Sequence, residues 1–278
     1  MDSAALRVAP ISEPVALRRA AVREVAGVAA ASAMQPRPPA ATIATGIPQV
    51  DALTQGLPRG ALTEIFGPAS SGRTSLMLSV MAQVTARGEV CALIDATDNF
   101  DPKSAQAAGV DLKRVLWVRC GKRPRGHGDT KKKNGSSGDR VIGSFRNDSG
   151  VEHALKTADS LLQAGGFGLV VIDLGEVPPG TARRVPLTSW FRFRRAVEHT
   201  PTALVVIEEE PFVKSAAALV LKLSAIRRQS SGRSDLPTHA RLLHGTKISV
   251  GVVRSPMRER KPVQSVTAAF ESRASWIR

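Results

Sequence analysis

Gly67-Pro68-Ala69-Ser70-Ser71-Gly72-Arg73-Thr74 is the stretch on which the reading of this chain turns. It follows the phosphate-binding pattern G-x-x-x-x-G-K-[ST] at every fixed position but one. Arg73 stands where the pattern has lysine. The flanks supply the expected context, an apolar strand from Leu62 to Phe66 and a helix from Arg73 to about Ala86. There, Gly67 and Gly72 let backbone amides converge on phosphate oxygens, and the helix N-terminus adds donors and a favourable dipole. Thr74 is positioned to offer its hydroxyl to Mg²⁺. A guanidinium also binds phosphate, even bidentately, but its planar fork is not the compact point charge of a lysine. The substitution predicts nucleotide binding retained or weakened, with hydrolysis strongly reduced.

Further along, Val90 to Asp95, Val115 to Arg119, Phe167 to Asp173 and Ala203 to Ile207 read as nearly continuous apolar strands. Helical stretches at 101–108, 151–164 and 186–198 alternate with them. This alternation predicts a parallel sheet covered on both faces. After Lys214 the pattern changes. Ala218 to Ile226, Thr246 to Val253 and Val263 to Phe270 read as strands without intervening helices, an antiparallel extension. Asp173 closes its strand where an Mg²⁺-orienting acid belongs. A turn-forming role is the alternative, since Leu174-Gly175 follows.

The 278 residues carry a net charge of +15, and 42% are hydrophobic. That suits one large core. The charge points to an anionic polymer, most simply nucleic acid, or else to a solvated basic surface. Aromatics are 4% and tyrosine is absent, so binding would rest on phosphates more than on base stacking. No apolar run approaches the roughly 20 residues that span a bilayer. Cys91 and Cys120 read as buried reduced thiols, which suits a cytoplasmic location, and no metal-ligand spacing joins them to the histidines.

Residues 1–40 read as a helix from about Val15 to Ala31, for docking or self-association, followed by the linker Gln35 to Pro39. Residues 41–278 form the core. Within it, about 121–149 carries eight Lys or Arg against three Asp and lacks apolar periodicity. It reads as a basic disordered insertion, either inert or contacting phosphate.

Together these features resemble the bacterial RecA recombinase core, above all in the run from Gly56 to Asp111, which includes the Asp101-Pro102 turn. The resemblance implies an α/β RecA-like P-loop NTPase fold, a mostly parallel sheet flanked by helices with an antiparallel C-terminal extension. It implies ATP with Mg²⁺, held by Gly67 through Thr74, Asp101 and Asp173, with Thr74 and Asp173 on the metal. It also exposes departures. The run D-A-E, whose glutamate activates water in RecA proteins, is Asp95-Ala96-Thr97 here, and Asp98 could substitute only if the backbone shifted. Ser104 replaces the adenine-stacking tyrosine. The strand ending in Asn-Gln in RecA ends in Glu208-Glu209, and a carboxylate there repels a γ-phosphate. Where RecA has two lysines reaching a neighbouring subunit's nucleotide, Arg254 keeps one charge and Pro256 loses the other.

Several losses within one mechanism predict a pseudo-ATPase or very weak ATPase. The pattern is similar to the RecA-like ImuA proteins. That resemblance implies a DNA repair accessory role in translesion synthesis and damage-induced mutagenesis within the SOS response. The implied partners are single-stranded DNA, a Y-family polymerase homologue and an error-prone replicative-type polymerase, with homo-oligomerisation open. DNA-contact candidates are Arg183 and Arg184, then Arg192, Arg194 and Arg195, with Lys214 in a second, short region; Trp190 and Phe193 read as the buried face of their helix. The alternatives are an ATP-dependent recombinase and a nucleotide-sensing regulator that does not bind DNA.

Overall fold

The structure is a computed structural model, and it describes residues 41–121, 148–231, 242–256 and 267–273. The chain divides into two compact units, Met1–Pro39 and Ala40–Arg278. The expected N-terminal helix and most of the basic insertion lie outside the described residues.

The second unit is built on one eight-stranded sheet. Its elements run β1 (Thr42–Ile43), α1 (Pro48–Thr54), β2 (Leu57–Pro58), β3 (Leu62–Phe66), α2 (Arg73–Ala86), β4 (Cys91–Asp95), α3 (Pro102–Ala107), β5 (Val115–Arg119), α4 (Asp148–Ala164), β6 (Leu169–Asp173), α5 (Pro179–Ala182), α6 (Leu187–Val197), β7 (Ala203–Glu208), β8 (Leu219–Ser231), β9 (Leu242–Arg254) and β10 (Thr267–Arg273). Across the large sheet the order is β10-β9-β8-β3-β7-β6-β4-β5, while β1 and β2 form a separate pair. From β8 to β5 all neighbours are parallel, whereas β9 and β10 are antiparallel additions. This is the α/β arrangement the sequence predicts.

Strands in the parallel part are buried on both faces because successive side chains point to opposite sides. In β6, Leu169 and Val171 join one apolar cluster with α2, while Val170 and Ile172 join the other with α4 and α6. Trp190 and Phe193 are fully buried in this second cluster, with rings edge to face at 5.8 Å. They are the buried face of α6, as expected. Cys91 and Cys120 are buried free thiols; burial pushes the Cys91 thiol up to about 12 and raises that of Cys120.

Some boundaries differ from the sequence expectation. The last three strands are longer or displaced toward the C-terminus, the first of them running to Ser231 rather than Ile226. Helix α1 was not anticipated. Pro48 at its start and Gln55 in a left-handed cap (φ 60°) confine it to seven residues, too short for periodicity to show. The DNA-contact candidate Arg183 is the C-cap of the short helix α5.

Candidate phosphate-binding site

The loop Gly67–Gly72 joins β3 to α2 at the carboxyl edge of the parallel strands. Both glycines are required by close approach. A Cβ on Gly67 would stand 2.2 Å from the Leu223 carbonyl oxygen. Gly72 has φ +95°, and a Cβ there would stand 2.2 Å from Ile248 Cδ1. The C-terminal strands β8 and β9 therefore hold the loop from outside. Pro68, Ala69 and Ser70 are exposed, and Ser71 is buried.

The loop opens onto a cavity of about 380 Å³ lined by Ser70 through Ser75 together with Glu176, Thr246, Ile248 and Ser272. The first amides of α2 have no intrahelical acceptor. Ser71 Oγ is buried and has no hydrogen-bond partner among the described residues. At the rim, Ser75 Oγ and Ser272 Oγ lie 3.0 Å apart.

Arg73 is turned inward and only 6% exposed. Its Nη1 donates to the Gly175 carbonyl at 3.2 Å, and Nη2 lies 3.8 Å from Glu176 Oε1. Asp173 accepts from the Gly175 amide at 2.9 Å. Burial pushes its carboxyl up to about 6, and nearby Arg73 only partly offsets this. Asp173 does not line the loop cavity; Arg73 does. A second pair of acids lies nearby, Glu64 on β3 and Glu208 on β7, 1% and 0% exposed. Glu64 Oε1 accepts from the amides of Phe212 and Val213 at 2.9 and 2.8 Å. The Glu208 carboxyl packs against Glu64, with the Phe212 amide beside it. Burial, then the hydrogen bond to Glu64 and its charge, push the Glu208 carboxyl up to about 12. It is a neutral acid packed beside Glu64.

The remaining expected residues are placed as follows. Thr74 is exposed at the cavity. Asp101 caps α3, accepting from the Lys103 and Ser104 amides and from Ser104 Oγ. These bonds, the Ser104 hydroxyl first, hold its carboxyl below the usual range. Asp101 does not line the loop cavity. Asp95 fixes the turn carrying Thr97 by accepting from the amides of Thr97, Asn99 and Phe100 and from Trp117 Nε1. Asp98, at φ +62°, pairs with Arg119 at 3.2 Å toward the sheet edge, so its carboxylate is not redirected to the loop. Glu209 is exposed; Glu208 is the acid turned inward. Arg254 Nη1 donates to the carbonyls of Lys214 and Ala217, within its own chain.

Among the DNA-contact candidates, Arg183 is paired with Glu210, and Arg192 with Asp159 at 3.0 Å. Arg194 reaches the Ser215 carbonyl at 3.5 Å. Arg184, Arg195 and Lys214 are exposed. Sequence reasoning missed Glu64, Glu176 and the outer wall of Thr246, Ile248 and Ser272. Glu64 left one signal, an acid inside an apolar strand.

This arrangement does not fit a magnesium ion between Thr74 and Asp173. The Arg73 guanidinium already supplies positive charge beside Asp173, and the Asp173 carboxyl is withdrawn from the cavity. No cluster of three His, Cys, Asp or Glu able to hold a metal occurs among the described residues. Nor is any described helix long and apolar enough to cross a membrane.

Sheet order and loop position define an α/β core of RecA-like fold. Residues 31–122 match the family model of the RecA N-terminal domain. RecA of Aquifex aeolicus is 31% identical over 184 residues, covering 60% of this chain and 45% of that protein. RecA of Wigglesworthia glossinidia brevipalpis is 28% identical over 184 residues, covering 60% and 47%. The chain thus spans about half the length of the curated relatives it matches. A crystal structure of the RadB recombinase superposes with a TM-score of 0.53 at 16% identity, covering 82% of this chain and 95% of that one.

Proposed function

We propose that this protein is a RecA-like DNA repair accessory factor whose degenerate ATP site does not drive a hydrolytic cycle. The observation that carries this reading is the inward position of Arg73, bonded to Gly175 and facing Glu176. A cation held in that way does not follow charge moving onto a leaving phosphate. Two further features support it. Thr97 occupies the place of the water-activating glutamate, and Asp98 is committed to Arg119. Glu209 takes the place of the RecA sensor glutamine in that resemblance and is exposed, while Glu208 before it is engaged with Glu64.

In the finer form of the proposal, the protein acts in the cytoplasm in SOS-type translesion synthesis, as the ImuA resemblance implies. It binds single-stranded DNA and works beside a Y-family polymerase homologue and an error-prone replicative-type polymerase. Steady-state ATPase assays with and without single-stranded DNA test the first part; the expected result is no DNA-stimulated turnover. Stimulated turnover of about 1–10 per second, ordinary enzyme territory, would overturn it. Gene deletion tests the second part, with a loss of damage-induced mutations expected and an unchanged mutation frequency counting against it.

A further inference from the structure

We infer that the Gly67–Thr74 loop is a metal-independent phosphate site, in which the Arg73 guanidinium takes the place of the divalent cation. This rests on reading the loop as retained for binding rather than for turnover.

Three observations converge on it. The first is a ready-made anion cradle. The 14-residue helix α2 begins at the loop, and its unpaired first amides face a cavity of about 380 Å³, large enough for one or two phosphate groups. The second is independent of the helix end. Ser71 is 1% exposed and its Oγ has no partner among the described residues, yet it lines this cavity. A buried hydroxyl without a partner is costly, and a phosphate oxygen would satisfy it. Thr246 and Ser272 add hydroxyl-bearing residues to the opposite wall.

The third observation concerns charge. A bound phosphate needs a counter-charge, and the chain supplies its own. Among the described residues, Arg73 is the one cationic side chain lining the cavity. Its contacts to Gly175 and Glu176 leave further N–H donors of the guanidinium fork for a ligand. Glu176 is 57% exposed and lies at the longer distance of 3.8 Å, so it can yield to a competing anion. A metal has no such place. Asp173 stands outside the cavity, and a divalent ion beside the guanidinium would be repelled by it.

The test is calorimetric titration of the full chain with inorganic phosphate, with ADP and with ATP, each in EDTA and in excess Mg²⁺. The expected result is saturable binding in EDTA, with affinity changed by less than about threefold when Mg²⁺ is added. Binding of inorganic phosphate assigns the site to free phosphate, and binding of the nucleotides alone assigns it to nucleotide phosphates; both support the inference. Arg73→Gln should weaken binding in EDTA by about tenfold or more. If that variant does not fold, Ser71→Ala, which removes only the orphan hydroxyl, should weaken binding about threefold or more with an unchanged circular dichroism spectrum. Binding seen only with Mg²⁺, saturable binding of none of the three ligands, or full affinity in both folded variants would overturn the inference. Failure here is distinct from failure of the functional proposal. Mg²⁺-dependent binding without turnover sinks only this inference, and DNA-stimulated turnover with metal-free binding sinks only the other.

Discussion

Glu208 and Glu64 face each other in the interior, Glu208 as a neutral acid and Glu64 with its Oε1 accepting from the Phe212 and Val213 amides. The pair ties the end of β7 to β3 and fixes the segment that follows β7. A proton on Glu208 is what makes the contact attractive.

That proton sets a pH dependence. Glu208 holds its proton far more tightly folded than unfolded, from an ordinary 4.5 up to about 12, so the folded state binds more protons across that window. Its contribution is fully present below about pH 4.5 and erodes as pH rises, by at most about 1.4 kcal/mol per pH unit. Asp173 acts the same way between its ordinary 3.8 and about 6. Glu208→Gln keeps a donor toward Glu64 without a titrating proton. Urea denaturation from pH 7 to 9 should show a flatter decline in the variant than in the parent. Equal slopes would reject the neutral-acid assignment.

The loop glycines should tolerate no side chain. Gly67→Ala drives a Cβ into the Leu223 carbonyl, and Gly72→Ala combines a left-handed backbone with a clash against Ile248. Each should cost about 2–5 kcal/mol, by strain and overpacking together. The denaturation midpoint measures this, and a loss below 1 kcal/mol would mean that β8 and β9 do not press on the loop.

Restoring lysine should not restore turnover. Arg73→Lys leaves Thr97 without a basic group and Asp98 paired to Arg119. The ATPase rate of the variant should remain at background, and recovery to about one turnover per second would remove Thr97 from the explanation.

If DNA is bound, its contacts should not be equivalent. Arg183 and Arg192 already have carboxylate partners in Glu210 and Asp159. Arg195 is exposed on α6 and forms no ion pair among the described residues. Arg195→Ala should reduce the slope of log affinity against log salt by about 1, and Arg183→Ala and Arg192→Ala by less. The reverse ranking would move the interface elsewhere.

Much of this molecule was legible in its sequence, for reasons that also explain what was not. Strands β3, β4, β6 and β7 announced themselves because burial on both faces demands continuous apolar runs. The loop was readable because its glycines answer local backbone needs. The second half of β8 was not, since Arg227 to Ser231 pair with β9 in a hairpin whose residues carry no apolar pattern. The inward turn of Arg73 was equally invisible. It depends on Gly175 and Glu176, about a hundred positions away, and spacing along a chain says nothing of such distances. Glu64 could have been suspected, because an acid in a buried strand needs either a partner or a proton.

Ile248 seated on Gly72 also bears on the order in which the protein is made. The loop leaves the ribosome well before the strand that closes it. Because synthesis runs from the N-terminus, the nascent chain carries an unfinished loop until β9 has joined β8. The phosphate binding proposed for the loop therefore has to wait until β9 has been made.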